Sequence, residues 1–360
     1  MNKFLMKNNK SVRNDLFKIL DTMGLPVCDI ESTRHYWFIR TQAGSYFEEF
    51  FLDGFVGIGH EDVPCVAEQD RTEQLIEQVK QHHPQATRVL NQIYKFCNEI
   101  KRNDIVIIPS ASSAKFAFGL IEDDQMYTEQ ISSSDIEDGK CPFARRRRTK
   151  WITGIDKNRV DSKLYQFFRN QQALSQVDEY SEYIERALHS FYIKNNIAHF
   201  TLSVETPNSP NAFDIPIFMC EILKKLEIIY TELDIHLEYN DIKSRTNVQS
   251  PGLIEVFGDP FVIGVIAFIT LHVFGGKISF AGFEYQTDGF GRILEIILKH
   301  LRDTKEIELK VEALQIKNPT TQTRAIGFIR TDNLIDNQSS CYDQPKCDDA
   351  ADNPSSNQHT

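Results

Sequence analysis

Residues 261–274 form a fourteen-residue apolar run interrupted only by Thr270 and His272. A helix apolar nearly all round must be covered by protein, a partner or lipid. Fourteen residues fall short of the roughly 20 that a bilayer core requires. The run is therefore expected as a core helix buried within the chain, with an oligomer interface as the next reading and a membrane surface as the last. Such a helix needs a substantial core around it, and 360 residues at roughly 150 per domain supply two. Apolar residues at 41% and charged residues at 25% match ordinary soluble usage. This balance excludes a disordered chain, a collagen-like fibre and a polytopic membrane protein.

The charge sum, 40 − 51 = −11, argues against a protein that coats duplex DNA through a broad basic face. A local basic run nevertheless stands at Arg145–Arg148. The seven cysteines (Cys28, Cys65, Cys97, Cys141, Cys220, Cys341 and Cys347) include no C-x-x-C pair and no metal-ligand spacing. They are expected to be reduced thiols in a cytoplasm. No secretory signal is read in the first ten residues. His82-His83 before Pro84 reads as a solvated helix end, and no metal or cofactor is expected.

Periodicity and turn residues predict an α+β fold. A helix over 12–23, closed by Gly24 and Pro26, belongs to an N-terminal extension (1–34). Strands at 36–40, 55–60, 105–109 and 115–121, with a short helix near 46–51 and helices at 72–82 and 86–100, build a barrel over 35–155. An acidic excursion at 122–139 reads as an exposed loop, and Arg145 to Ile152 as a returning strand. Helices at 160–170 and 178–192 form a linker (156–197). A second α+β domain (198–332) has strands at 199–205, 235–238, 253–256, 277–285 and 306–316, helices at 213–226, 261–274 and 292–302, and an edge strand at 325–330. The Asp-, Asn- and Ser-rich tail (333–360) is expected to be disordered.

Five motifs occur in order: W-x-I-R (Trp37, Ile39, Arg40); G-x-V-x-I-G (Gly54, Val56, Ile58, Gly59); F-x-x-E-I (Phe96, Glu99, Ile100); D-x-V-x-x-P (Asp104, Val106, Pro109); and F-G-x-I with R-x-x-K-W (Phe118, Gly119, Ile121; Arg147, Lys150, Trp151). The set resembles the PUA-like β-barrel superfamily. It is closest to the small EVE- and YTH-related barrel at the N-terminus of bacterial restriction and phage-defence proteins. Where those proteins usually carry Trp after the I-G pair, His60 stands, and Asn103 replaces their Gly before the Asp.

The resemblance implies a reader of a single-stranded or flipped base, including modified ones. Such a base is held by aromatic stacking and edge hydrogen bonds. Trp37, Tyr46, Phe50 and His60 would supply ring planes and a polar edge; Arg40, Arg146, Arg148 and Lys150 would contact phosphate. The bland alternatives stand beside these. Trp37, Trp151, Phe47 and Phe51 suit a core equally, and the arginine run could balance the acidic excursion.

In the second domain, Glu308 and Lys310 on one strand face, with Asp288 or Asp303, are the only sketch of a metal-dependent nuclease. No other catalytic signature is present. The expected function is nucleic-acid recognition within a restriction or phage-defence system, acting with a partner defence protein or as a homo-oligomer. Two rivals remain: an effector or assembly protein whose apolar helix engages a membrane or partner, and a divergent nuclease.

Overall fold

The computed structural model describes residues 10–169, 171–205, 211, 213–234, 236–238, 240, 242–247, 252–273, 290–301 and 304–319. The strands expected at 277–285 and 325–330, the polar tail, Asp288, Asp303, Cys341 and Cys347 lie outside them.

The chain begins with α1 (Lys10–Thr22) and β1 (Cys28–Ile30). The aromatic runs become β2 (Tyr36–Ile39), α2 (Phe47–Leu52) and β3 (Phe55–Ile58). Helices α3 (Glu73–Lys80) and α4 (Ala86–Tyr94) follow, α4 running on through a wider turn at Lys95–Glu99. Then come β4 (Ile105–Pro109), β5 (Lys115–Ile121), β6 (Tyr127–Thr128), α5 (Ser133–Glu137) and β7 (Arg145–Asp156). The remainder is α6 (Tyr165–Phe168), β8 (Leu174–Gln176), α7 (Ser181–Leu188), β9 (Phe191–Lys194), β10 (Ile197–Val204), α8 (Asp214–Glu232), β11 (Ile242–Asn247), β12 (Gly252–Gly258), α9 (Pro260–Val273), α10 (Phe290–His300) and α11 (Lys305–Leu314). The fold is α+β.

The first sheet has the order β3-β7-β5-β4-β2-β8, with β6 on β7. It curls because β7 is shared: Arg145–Arg148 pair with β3 and Thr149–Asp156 with β5. A Cβ on Gly119, at the register shift of β5, would sit 2.7 Å from the Trp151 ring, so no side chain fits there. Strands β2 and β4 are buried on both faces, as the four-residue run Ile105–Ile108 predicts. Trp37, Ile39, Val106 and Ile108 pack toward α2 and α4, while Tyr36, Phe38, Ile105 and Ile107 pack with Ile184 and Leu188 of α7.

The second sheet runs β1-β9-β10-β12-β11, with only β1–β9 parallel. One face is covered by α1, α8 and α9 in a single apolar core. Every residue from Pro260 to Leu271 is buried, so the apolar run is a core helix covered from within the chain. A Cβ on Gly264 would stand 2.8 Å from Leu16, which shows how closely α1 seats against it. Among the described residues no helix is long and apolar enough to cross a membrane.

Five expectations are corrected. Residues 305–314 are helical, not a strand: Ile307 and Leu314 are buried and Val311 packs beside them at helical spacing, while Leu309, the alternate-strand partner, is 55% exposed. Glu306 and Glu308 in the first turn favour that helix through its dipole. The linker is not helical throughout. Its two expected helices shorten to 162–168, a tight turn leading into α6, and 178–188, a tight turn leading into α7. Strand β8 lies between them, and β9, whose aromatic residues pair with β1 and β10, comes after them. Residues 236–238 are irregular, and the strand of that region is β11. The excursion at 122–139 contains β6 and α5, the latter started by a Ser132–Asp135 capping box. Cys65 and Cys97 are joined as a disulfide, so these two are not reduced thiols.

Candidate nucleic-acid interface

Three of the four consecutive arginines are engaged with the protein itself. Arg145 donates to the carbonyls of His60 (2.9 Å), Glu61 (3.1 Å) and Val63 (2.5 Å). Arg146 is buried, donates to Phe143 O (2.9 Å) and Cys141 O (3.2 Å), and lies 4.0 Å over the Phe55 ring. Arg147 is fully buried and donates to the carbonyls of Phe96 (2.7 Å), Cys97 (2.9 Å), Asp124 (3.2 Å) and Asp123 (3.3 Å). Burial pulls its pKa down to about 10. Arg148 and Lys150, alternate residues of β7, are exposed, and Arg148 stands 4.0 Å from Asp123. Arg146 therefore has little left to offer a phosphate, whereas Arg148 and Lys150 remain accessible.

The aromatic candidates also divide. Phe50 is fully buried, 4.9 Å from Phe55, and is core. Trp37 is fully buried too, with its indole N–H donating to Asp104 Oδ2 at 2.9 Å. Tyr46 is half-buried edge-on to Phe143, and burial raises its phenol pKa. His60 is half-buried with φ +68°, its ring edge-on to His83. Arg40 is half-buried, its backbone N–H donating to Ala173 O. Strand β2, carrying Trp37, is separated from β3, which leads to His60, by β4, β5 and β7. The eight candidates do not form one pocket. Glu308 accepts from the Thr304 hydroxyl and Lys310 pairs with Asp214 at 3.0 Å, and the two lie on a helix rather than on one strand face. Asp288 and Asp303 of the nuclease sketch lie outside the described residues.

The structure instead assembles a polar groove from residues that carry no dense motif. One cleft, of about 540 Å³, lies beside Trp37 and Asp104 and is lined by Arg34, His35, Lys101 and Arg102. A second, of about 480 Å³, is lined by Arg88, Asn91, Gln92 and Lys95 of the α4 face and by Ser175 of β8. Gln176 lines both. Five cations (Arg34, Arg88, Lys95, Lys101, Arg102) face three carboxylates (Glu31, Glu99, Asp104) across the two clefts. The Asp104 carboxylate is buried and accepts from His35 N, Lys101 N and the Trp37 indole. Burial raises its pKa despite these donors. His35, half exposed, is held by Asp178 at 2.7 Å and offers the accessible ring of the first cleft. Ser175 borders the second cleft, but it pairs with Phe38, so its buried and unpartnered hydroxyl lies on the opposite face of β8 from Leu174 and Gln176.

Beside the groove lies a charged layer that the sequence did not announce. Glu185 of α7 is fully buried and meets Arg34 (3.1 Å), His189 (3.1 Å) and the Tyr36 hydroxyl (2.5 Å). Burial works against its charge, yet His189, Arg34 and Tyr36 hold its pKa below the usual carboxylate range. For His189, burial is likewise outweighed, by the Cys28 sulfur and Glu185, and its pKa rises to about 9. Arg186 bridges Asp161 (2.5 Å) and Glu255 (3.1 Å), and Glu255 also meets His199 (2.8 Å). The layer joins α7 to the polar face of the second sheet.

A family described as "Domain of unknown function (DUF8426)" has a model that matches residues 37–177 of this chain. The matched segment spans the strands of the first sheet almost end to end, β8 included. No curated protein and no solved structure matches the chain.

Proposed function

We propose that this protein recognises nucleic acid, single-stranded or with a base turned out of its helix, in the groove that meets at Gln176. The observation that carries this reading is the convergence of Arg88, Asn91, Gln92 and Lys95 of one cleft with Lys101 and Arg102 of the next on the shared Gln176. Asn91, Gln92 and Gln176 offer donors and acceptors to a base edge, and Lys95, Lys101 and Arg102 offer charge to phosphate. His35 supplies the ring for stacking, because Trp37 is sealed beneath. Each cleft falls within the range of about 300–1,000 Å³ typical of small-ligand sites. The PUA-like character of the first sheet, a place in a restriction or phage-defence system and a cytoplasmic location rest on the sequence resemblance and belong to the same proposal.

The test is fluorescence anisotropy of the full chain with short labelled oligonucleotides, single- and double-stranded, modified and unmodified, at two salt concentrations. Binding should weaken with salt, and Lys101→Ala with Arg102→Ala should flatten that dependence by up to about two phosphate contacts. Arg88→Ala with Lys95→Ala should act in the same direction. Loss of binding in Arg148→Ala with Lys150→Ala, and none in the groove variants, would move the interface back to β7. No binding at low salt would end the nucleic-acid reading.

A further inference from the structure

We propose that His60, Asp62 and His83 form a site for a divalent transition metal of the zinc class, with a coordination position left open to water or an outside ligand. The three side chains come from two elements: the loop leaving β3 and the turn after α3. One ligand atom from each lies within 4.8 Å of the others. His83 Nε2 and Asp62 Oδ2 are already 2.7 Å apart, and the His60 and His83 ring centroids are 4.8 Å apart. A tetrahedral zinc site with bonds of about 2.0–2.1 Å places its ligand atoms roughly 3.4 Å from one another. Small rotations of half-exposed side chains reach that spacing. The expected solvated helix end is thus corrected at His83, whose side chain is only 19% exposed, while His82 remains exposed.

The loop is built to hold these residues before any ion arrives. His60 adopts φ +68°, a left-handed conformation disfavoured for a residue with a side chain. Arg145 fixes it there by donating to the carbonyls of residues 60, 61 and 63. Val63, fully buried, closes the turn through its N–H to His60 O. Glu61 accepts from Ala144 N and, with Asp62, offsets the Arg145 charge. Two imidazoles and one carboxylate suit zinc, cobalt, nickel or iron better than magnesium or calcium, which prefer all-oxygen sites. Among the described residues no fourth His, Cys, Asp or Glu joins the group. A bound ion would tie the β3 loop to the α3–α4 hairpin. The second helix of that hairpin carries Arg88, Asn91, Gln92 and Lys95.

The experiment is titration calorimetry of the metal-stripped full chain with Zn²⁺, repeated with Co²⁺ by visible absorption. The wild type should take up about one equivalent, with Co²⁺ giving d–d bands, and excess Mg²⁺ should not displace it. His83→Gln and Asp62→Asn should each weaken binding by about tenfold or more. His60→Asn keeps a residue tolerant of positive φ and should do the same. Thermal melts separate folding from ligation: Zn²⁺ should raise the wild-type melting temperature and leave that of the variants unmoved. Absence of binding by folded wild type, or binding undisturbed in all three variants, would overturn the site.

Discussion

Replacing Arg147 by Ala asks whether the arginine run is architecture or interface. The Arg147 guanidinium holds four carbonyls: those of Phe96 and Cys97 in the turn that ends α4, and those of Asp123 and Asp124 after β5. The bonds to Asp123 and Asp124 are long, and both residues are exposed, so water can replace the donor there. The two short bonds, at 2.7 and 2.9 Å, point inward. Hydrogen bonds from charged donors contribute about 1.5–3 kcal/mol each, which places the loss at about 3–6 kcal/mol. Removing the charge also relieves its burial, so the lower end is expected, about 3 kcal/mol. Both tryptophans, Trp37 and Trp151, lie in the same sheet, so urea denaturation followed by fluorescence reports this unit directly. With a slope of about 1–3 kcal/mol/M, the midpoint should fall by about 1 M or more. Arg148→Ala should stay within about 0.5 kcal/mol of wild type. An Arg147→Ala midpoint equal to wild type, or an Arg148→Ala midpoint equally reduced, would refute this account.

Two further outcomes follow from the buried charges. Asp104→Asn leaves one oxygen for three N–H donors and turns an NH₂ toward at least one of them; stability should fall by about 1–3 kcal/mol, and a urea midpoint within error of wild type would sink the argument. His189 has a folded pKa of about 9 against an ordinary 6.5, so its contribution is complete below about 6.5 and is lost as pH rises toward 9. The urea midpoint should drop across that window and should be flatter in His189→Gln; identical slopes in the two proteins would remove His189 as the cause.

The first sheet was legible because its strands announce themselves locally. Trp37, Phe38 and Ile39, or Ile105 to Ile108, are aromatic or β-branched and bounded by turn residues, and Asn103 indeed takes φ +69°. The apolar run was legible too: a helix without a polar face demands cover, and fourteen residues are too few to span a bilayer. Residues 305–314 were not. Ile307, Leu309 and Val311 alternate as a strand would, but Ile307, Val311 and Leu314 also fit a helix, and α8 provides the surface that decides between the two. The helix expected at 178–192 is present but ends earlier, at Leu188. Helix α7 gives way at His189 and Ser190, and the pairing of Phe191–Lys194 with β1 and β10 overrides any helical continuation.

The interface was illegible for a different physical reason. Four adjacent arginines signal charge density, yet what each does is fixed by its acceptors. His60 lies 85 residues from Arg145, and Phe96 lies 51 residues from Arg147. Charge that the sequence concentrates is thereby withdrawn into the fold. The groove shows the converse: Arg88, Lys95, Lys101, Arg102 and Ser175 are scattered, and only α4, the β4 approach and β8 bring them together. Strand β8 decides the matter. It comes from beyond the barrel expected at 35–155, pairs Leu174–Gln176 with Trp37–Ile39, and supplies Ser175 and Gln176. A chain ending at residue 155 would leave β2 as an open edge and remove one wall of the groove. The proposed recognition unit must therefore be taken through β8, because the edge that completes the sheet also supplies a wall of the proposed groove.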